Sequence, residues 1–384
     1  MHRRNFLSLI AGFAVSPAAI AKSNARKQCL LLIELQGGND GLNTVIPFAD
    51  KAYSALRPTL AIKNDKLWKL DEKTALHPSL HKLNDCWQAD QLAIVQGLGY
   101  ENPNRSHFRS HDIWTSASEF DQRKDSGWLA DTLPEENSTV QAVIYGNRSS
   151  VLQGGELNYI SMHRTREFLS AKLPKLQALE SNANNSQRHV HSVLKNTLAY
   201  QQRLRAVAKS LEAKGPDDGG EFGNNLFAKQ LQDAALLISS GLAPSVITLH
   251  LKGFDTHANQ IERQGKLLEN LSTALAAFRA QLIQNGHWDD TLVVTWSEFG
   301  RRAGENASGG TDHGTAAPQF VLGGRVKGGL HGQQPSLSEL QNDDLVHTVD
   351  FRQLYASLAE QWWTLADSSI NKKRYPALDL VKSA

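Results

Sequence analysis

The chain has 384 residues, of which 40% are hydrophobic and 21% are charged. This apolar fraction is enough to bury a large core, which excludes a disordered polymer and a low-complexity chain. The net charge of +2, from 41 basic and 39 acidic residues, provides no overall field to attract nucleic acid. We therefore expect an ordinary globular protein with no nucleic-acid partner.

The amino-terminal residues have the pattern of an export signal. Arg3 and Arg4 precede an apolar stretch, residues 7–20, and residues 19–21 (Ala-Ile-Ala) form a small-x-small cleavage motif. The stretch is shorter than the run of about 20 apolar residues that spans a membrane, so no stable membrane anchor is expected. The arginine pair followed by Asn-Phe-Leu resembles a twin-arginine signal, with a Sec-type signal as the alternative. The sequence predicts a signal peptide at 1–21, contact with the twin-arginine translocase, and a periplasmic or secreted protein.

Short apolar runs typical of buried strands recur along the rest of the chain. They cover residues 29–35, 92–97, 139–145, 245–251, 291–296 and 320–324. Helical patterns cover residues 79–91, 226–240, 261–285 and 350–365. This alternation predicts an α/β fold class with a largely parallel central sheet flanked by helices. Residues 22–384 are expected to form a single α/β domain with a helical insertion at about 160–220, where polar helical patterns occur without strands.

Polar segments follow four of these strands. They lie at residues 36–43, 102–112, 253–260 and 297–302, and a glycine-rich loop at 309–315 precedes the last strand. Each segment alone is equally typical of a turn, a helix N-cap or solvated charge. Ligands bind beyond the carboxyl ends of parallel strands, however, so these segments are expected to meet at one edge of the sheet. Aspartate, glutamate and histidine gathered there have the donor atoms of a divalent metal site.

These motifs resemble the bacterial exported family called domain of unknown function 1501, within the alkaline phosphatase and sulfatase superfamily. The segments that carry the resemblance are Leu-Gln-Gly-Gly-Asn-Asp-Gly at 35–41, Asn-Arg-Ser-His-Phe at 104–108, Phe-Asp-Thr-His at 254–257, Trp-Ser-Glu-Phe-Gly-Arg at 296–301 and Thr-Asp-His-Gly-Thr at 311–315. The resemblance implies an alkaline phosphatase-like or sulfatase-like fold for nearly the whole chain.

The resemblance also implies a site with one or two divalent ions, namely Zn, Mn, Mg or Ca. Carried over position by position, it assigns the metal ligands Asp40, Asp255, His257, Glu298 and His313. It assigns Ser106 as the nucleophile. On physical grounds, we expect Arg105, Arg109 and Arg301 to donate charge-assisted hydrogen bonds to an anionic transition state.

Two departures from the superfamily pattern bear on whether the site binds a second metal ion. Phe299 stands where a second-metal histidine is expected, and one residue separates Asp255 from His257 where the superfamily has three. A site with one metal ion, or with none, is therefore also compatible with these residues.

Two classes of function follow from the resemblance. The first is a periplasmic metal-dependent hydrolase of phosphate or sulfate esters, with Ser106 or a metal-bound water as nucleophile and a small anionic ester or glycan-type substrate. The alternative is a catalytically degenerate protein of the same fold that binds a ligand, a cell-wall glycan or a partner protein. Hydrolysis of amide or glycosidic bonds, with Asp40 and Glu298 as a carboxylate pair, also stays open.

Overall fold

The structure is a computed structural model that describes residues 28–134, 140–147, 149–155, 157–173, 176, 183–212, 220–365, 370 and 373–383. The predicted signal peptide, residues 1–21, lies outside the described residues. Among the described residues, we find no helix with the length and apolar character needed to span a bilayer.

Of the twelve strands in the described chain, six overlap the six predicted apolar runs and six were not predicted. They are β1 Cys29–Gln36, β2 Val45–Ile46, β3 Trp68–Lys69, β4 Ala75–Leu76, β5 Leu92–Gly99, β6 Ala142–Tyr145, β7 Tyr159–Met162, β8 Val246–Lys252, β9 Thr291–Trp296, β10 Ala317–Gly323, β11 Gly329–His331 and β12 Val349–Asp350.

Helices occupy most of the connections between these strands. The α-helices are α1 Gly41–Thr44, α2 Lys51–Leu56, α3 Asn84–Gln88, α4 His107–Ser116, α5 Trp128–Thr132, α6 Thr165–Ser170, α7 Asn185–Glu212, α8 Leu226–Ser239, α9 Gln260–Gln284 and α10 Phe351–Ser357. The 3-10 turns are Asn64–Lys66, Pro78–Leu83, Ser150–Leu152 and Gly220–Phe222, and a π-helical turn, Leu358–Trp362, follows α10.

The central sheet has nine strands, and eight of them run in the same direction. Its order is β11-β5-β10-β9-β1-β8-β6-β7, with β12 also paired to β5. Strand β10 is antiparallel to both of its neighbours, β5 and β9, and all other pairs are parallel. The predicted fold class, a largely parallel sheet with flanking helices, is confirmed. The carboxyl ends of β1, β5, β8 and β9 therefore share one edge of the sheet.

Strand β1 is buried on both faces, which explains its continuous apolar run. Leu31 and Ile33 belong to one hydrophobic cluster, together with residues of α8 and α9. Leu30 and Leu32 belong to the cluster on the opposite face, with residues of α4 and α10. A strand buried on both faces can carry a polar side chain only where neighbouring groups provide hydrogen-bond or ion-pair partners.

The region predicted as a helical insertion contains α6 and α7 within its described part. Tyr200 and Leu204 of α7 belong to the same hydrophobic cluster as Leu31 of β1. Strand β7 lies at the start of this region and extends the sheet by pairing in parallel with β6. Cys29 and Cys86 are both buried, and no disulfide joins them.

Candidate metal centre

The segments that follow the parallel strands meet at one edge of the sheet. Asp255 follows β8, Glu298 follows β9, and α4, which begins at His107, follows β5. Residues 297–316 connect the carboxyl end of β9 to the amino end of β10. Because β10 is antiparallel to β9, both ends of this loop lie at the same edge, and the loop brings His313 to the other groups.

Asp255 lies at the centre of the polar contacts in this region. Its Oδ1 atom accepts a hydrogen bond of 2.6 Å from Arg301 Nη2, and lies 3.1 Å from His313 Nε2 and 3.0 Å from His257 Nε2. Partial burial acts to raise the pKa of Asp255, but the net shift is downward, to about 2, and the Arg301 guanidinium is the leading cause of the lowering. The carboxylate is therefore ionised at neutral pH.

Two histidines, His313 and His257, direct the Nε2 atom of the ring toward Asp255. The Nδ1 atom of His313 lies 2.9 Å from the Arg105 carbonyl oxygen, which can only accept, so the ring proton is on Nδ1. Burial lowers the pKa of His313, which keeps the ring neutral with a lone pair on Nε2. His257 Nε2 lies 3.0 Å from both His313 Nε2 and Asp255 Oδ1, and its Nδ1 atom lies 3.3 Å from Asp312 Oδ1, so both of its ring nitrogens face acceptors.

His107 completes the cluster, although it was not among the predicted ligands. Its Nε2 atom lies 3.6 Å from Asp255 Oδ2, and its Nδ1 atom donates to Glu298 Oε1 at 2.8 Å. The hydrogen bond to Glu298 raises the pKa of His107 and holds the ring proton on Nδ1. The signal was present in the sequence, because this histidine begins a helix directly after Ser106 in a segment that follows a strand.

The donor atoms fit a divalent metal ion. One ligand atom each from His107, Asp255 and His313 lies within 4.8 Å of the others, and His257 adds a third imidazole. The lone pair on the neutral His313 Nε2 atom faces the Asp255 carboxylate, and the two repel each other unless a cation lies between them. Imidazole nitrogen and carboxylate oxygen are ligands of Zn²⁺ and related ions, and acceptors at each Nδ1 are typical of such sites.

Glu298, a predicted metal ligand, lies behind His107. Its side chain is buried and accepts hydrogen bonds from the backbone N–H groups of Gly37 at 3.0 Å and Gly38 at 3.3 Å. Both glycines have positive φ, +119° and +78°, and a Cβ atom on Gly37 would lie 2.4 Å from the Asp255 nitrogen. The loop after β1 therefore contacts both Glu298 and Asp255. Only glycine at position 37 allows its backbone to lie this close to the backbone of Asp255.

Phe299 packs against the imidazoles of the cluster. Its ring centroid lies 4.8 Å from that of His107 and 4.7 Å from that of His313. The residue that replaces an expected histidine ligand therefore restricts the orientation of two imidazoles instead of adding a donor.

Asp40, also a predicted metal ligand, has a different set of partners. It is fully buried, and its Oδ1 atom accepts a hydrogen bond of 2.9 Å from Arg57 Nη2 while Oδ2 pairs with Arg57 Nη1. Gln260 Nε2 donates to Oδ2, and the Leu42 N–H donates to Oδ1 at the N-cap of α1. These contacts use both carboxylate oxygens, so the structure does not bring Asp40 together with Asp255 and His313.

Ser106, the predicted nucleophile, lies next to the cluster in an open position. It is exposed and precedes His107 as the N-cap residue of α4, but its side chain makes no capping hydrogen bond. Its backbone N–H instead donates to Asn104 Oδ1 at 2.8 Å. The hydroxyl group at this position is accessible from solvent.

The three predicted arginines are engaged within the protein. Arg105 pairs with Asp344 at 2.7 Å, and Arg109 pairs with Asp112 at 2.7 Å. Arg301 is buried, and besides Asp255 it donates to backbone carbonyl oxygens of the loops around it, those of Gly37, Gly38, Phe254 and Thr311. In this arrangement Arg301 holds Asp255, and direct contact with a substrate would require it to leave these acceptors.

A family model described as protein of unknown function (DUF1501) matches residues 206–372. The family resemblance seen in the motifs is thus confirmed over this segment, which contains Asp255, His257, Glu298, Arg301 and His313. His107 and Ser106 lie before it. No curated protein matches this sequence.

Solved structures similar to this chain include three bacterial proteins. A protein of the alkaline phosphatase superfamily from Vibrio parahaemolyticus is 13% identical, with 80% of this chain and 63% of that chain covered and a TM-score of 0.32. This chain thus spans less than two thirds of that protein. The PsFucS1 sulfatase from Pseudoalteromonas sp. is 10% identical, with coverages of 84% and 67% and a TM-score of 0.37. Alkaline phosphatase from the Antarctic bacterium TAB5 is 12% identical, with coverages of 78% and 92% and a TM-score of 0.32.

Proposed function

We propose that this protein is an exported, metal-dependent hydrolase of phosphate or sulfate esters. The observation that carries the proposal is the convergence of His107, His257 and His313 on the Asp255 carboxylate, with each Nδ1 atom next to an acceptor. These four side chains would hold one divalent ion. The substrate class is a small anionic ester or an esterified glycan, because a cation next to an accessible hydroxyl group suits an anionic centre.

The protein groups have separate parts in the reaction. A bound divalent cation neutralises negative charge on a phosphoryl or sulfuryl group. The Ser106 hydroxyl oxygen forms a bond to phosphorus or sulfur, and the bond to the ester oxygen breaks, so that the alcohol leaves with the proton that serine gives up. Water then displaces serine and restores the free hydroxyl group. Arg301 keeps Asp255 ionised and in place throughout.

Metal content and turnover test this proposal together. Wild-type protein purified after export should contain a divalent metal and hydrolyse aryl phosphates or aryl sulfates. Asp255→Asn and His313→Gln should lose the metal and reduce turnover by more than about 100-fold, because each removes a ligand of the ion. Ser106→Ala should keep the metal but lose turnover if serine is the nucleophile, and should keep both if water attacks directly.

Matched controls are available on the exposed surface. Asp121→Asn and His163→Gln make the same chemical changes at exposed positions and should behave like wild type. If the exported wild-type protein contains no stoichiometric metal, and added Zn²⁺, Mn²⁺, Mg²⁺ or Ca²⁺ neither stabilises it nor confers turnover, the enzyme proposal is wrong.

A ligand-binding protein without turnover is the second candidate function. The contacts of the three arginines favour this candidate. Arg301 is buried, and Arg105 and Arg109 are paired with carboxylates, so their donors are engaged within the protein instead of facing a transition state. Such a protein would bind the metal and a phosphate or sulfate ester, and the bound ester would be recovered intact.

A further inference from the structure

A second group of metal-binding side chains lies one helical turn from the first. Glu34 of β1 is in register with His250 of β8 on one side and with Trp296 of β9 on the other, so the three share a face of the sheet. His111 of α4 lies over this face, and its ring packs against that of Trp296 in a tilted arrangement with the centroids 5.5 Å apart. It is four residues after His107, which places both histidines on the same side of the helix.

The two oxygens of Glu34 have different surroundings. Oε2 is hydrogen-bonded to His250 Nδ1 at 2.5 Å. Oε1 lies 3.5 Å from His111 Nε2, which is too long for a good hydrogen bond, and this buried atom has no hydrogen-bond partner. Its only ion-pair contacts within the described residues are those two imidazoles, so neither lysine nor arginine balances its charge.

A buried carboxylate in this position is unfavourable without a cation. Glu34 is 1% exposed, and Leu32, Trp114 and Trp296 belong to the hydrophobic cluster on its face of the sheet. A charged oxygen that is removed from water and left without a partner destabilises the folded state, and buried groups of this kind are uncommon in native proteins. The unpartnered Oε1 atom therefore indicates a missing positive ligand.

The spacing of the donor atoms identifies the class of ligand. Nitrogen and oxygen ligands about 2.0–2.2 Å from a tetrahedral ion lie about 3.3–3.6 Å from each other. Glu34 Oε1 and His111 Nε2 are 3.5 Å apart, and the equivalent pair at the first centre, Asp255 Oδ2 and His107 Nε2, is 3.6 Å apart. The side chains of His111 and His250 are 32% and 20% exposed, which gives an ion access from solvent.

We infer that Glu34 and His111 bind a second divalent transition-metal ion of the Zn²⁺ class, with His250 holding the other carboxylate oxygen. This centre uses neither Asp40 nor Glu298, the residues that the family resemblance would give to a second ion. It also does not depend on hydrolase activity, because binding follows from the donor atoms alone.

Metal stoichiometry tests the inference on the full chain. Metal-free protein is equilibrated with Zn²⁺ or Co²⁺, and bound metal is counted after dialysis, with the visible spectrum of Co²⁺ as a second readout. Wild type and the His163→Gln control should bind about two equivalents, whereas Glu34→Gln and His111→Gln should bind about one. Asp255→Asn should also bind about one, because it removes the other centre.

The variants distinguish failure of this inference from failure of the proposed function. A wild-type protein that binds one equivalent, lost in Asp255→Asn but kept in His111→Gln, overturns the second centre and leaves the first. If wild type binds one equivalent that is lost in His111→Gln but kept in Asp255→Asn, the first centre is overturned and the second centre remains. His111 is partly exposed, so its variant decides the question if Glu34→Gln fails to fold by circular dichroism.

Discussion

Glu298 contacts the candidate metal centre through another residue. Its carboxylate accepts from His107 Nδ1 and from two backbone N–H groups, and Phe299 beside it packs on two imidazoles. The motif at residues 296–301 marked this region in the sequence, but the resemblance assigned Glu298 to direct coordination. Whether a carboxylate touches the ion or orients a ligand depends on distances of a few ångströms, which the order of residues does not specify.

Replacing Glu298 by glutamine should weaken metal binding at the first centre by about 10- to 100-fold. The amide is a poorer acceptor for His107 Nδ1–H, so the tautomer that presents Nε2 is less favoured. Competition with a chromogenic Zn²⁺ chelator measures the affinity, and Glu262→Gln in the first turn of α9 is the matched control.

The affinity of the Glu298 variant separates two roles for this residue. Weaker binding with unchanged stoichiometry supports an orienting carboxylate. Unchanged affinity contradicts that role, and complete loss of one equivalent indicates direct coordination as the family resemblance implies.

At the scale of elements, the six predicted strands and the long helices follow the sequence patterns closely. Strand β9 has the predicted bounds, and α9 begins and ends one residue before its predicted range. The direction of β10 is not visible in its apolar run, because a strand buried on both faces has the same composition in either direction. That direction nevertheless determines where His313 lies.

The 3-10 turn Pro78–Leu83 depends on an uncharged histidine. His77 is 5% exposed, and its Nδ1 atom accepts from the Ser79 N–H at 3.1 Å. Burial lowers the pKa of His77 to about 4. Between pH 6.5 and pH 4 the unfolded chain binds a proton at this site and the folded chain does not, so the free energy of unfolding falls as the pH is lowered through this range.

His77→Asn should remove this part of the pH dependence while keeping a capping acceptor. Wild type should lose on the order of 3 kcal/mol more than the variant between pH 6.5 and pH 4. Urea unfolding at each pH measures the difference, with His163→Gln as the control. Parallel pH profiles for wild type and His77→Asn would show that His77 is already protonated in the folded state.

At the scale of the whole molecule, export is a prediction from the sequence alone. Arg3 and Arg4 lie outside the described residues. Replacing both by lysine should block twin-arginine export and leave the protein in the cytoplasm, because that route reads the arginine pair. Cell fractionation measures the distribution, and Arg26→Lys, beyond the predicted signal, should export normally. Continued export of the double variant would favour a Sec-type signal.

The sequence by itself predicted the fold class, the resemblance to the family and the edge of the sheet where the candidate site lies. Apolar runs, helical periodicity and local motifs are properties of neighbouring residues, and these were enough to single out Asp255, His257 and His313. Only the tertiary structure decided that Asp40 pairs with Arg57, that His107 joins the cluster, and that Glu34 lies beside His111. The reason is that ion pairing and coordination depend on distances between residues far apart in the chain, and the order and direction of the strands set those distances.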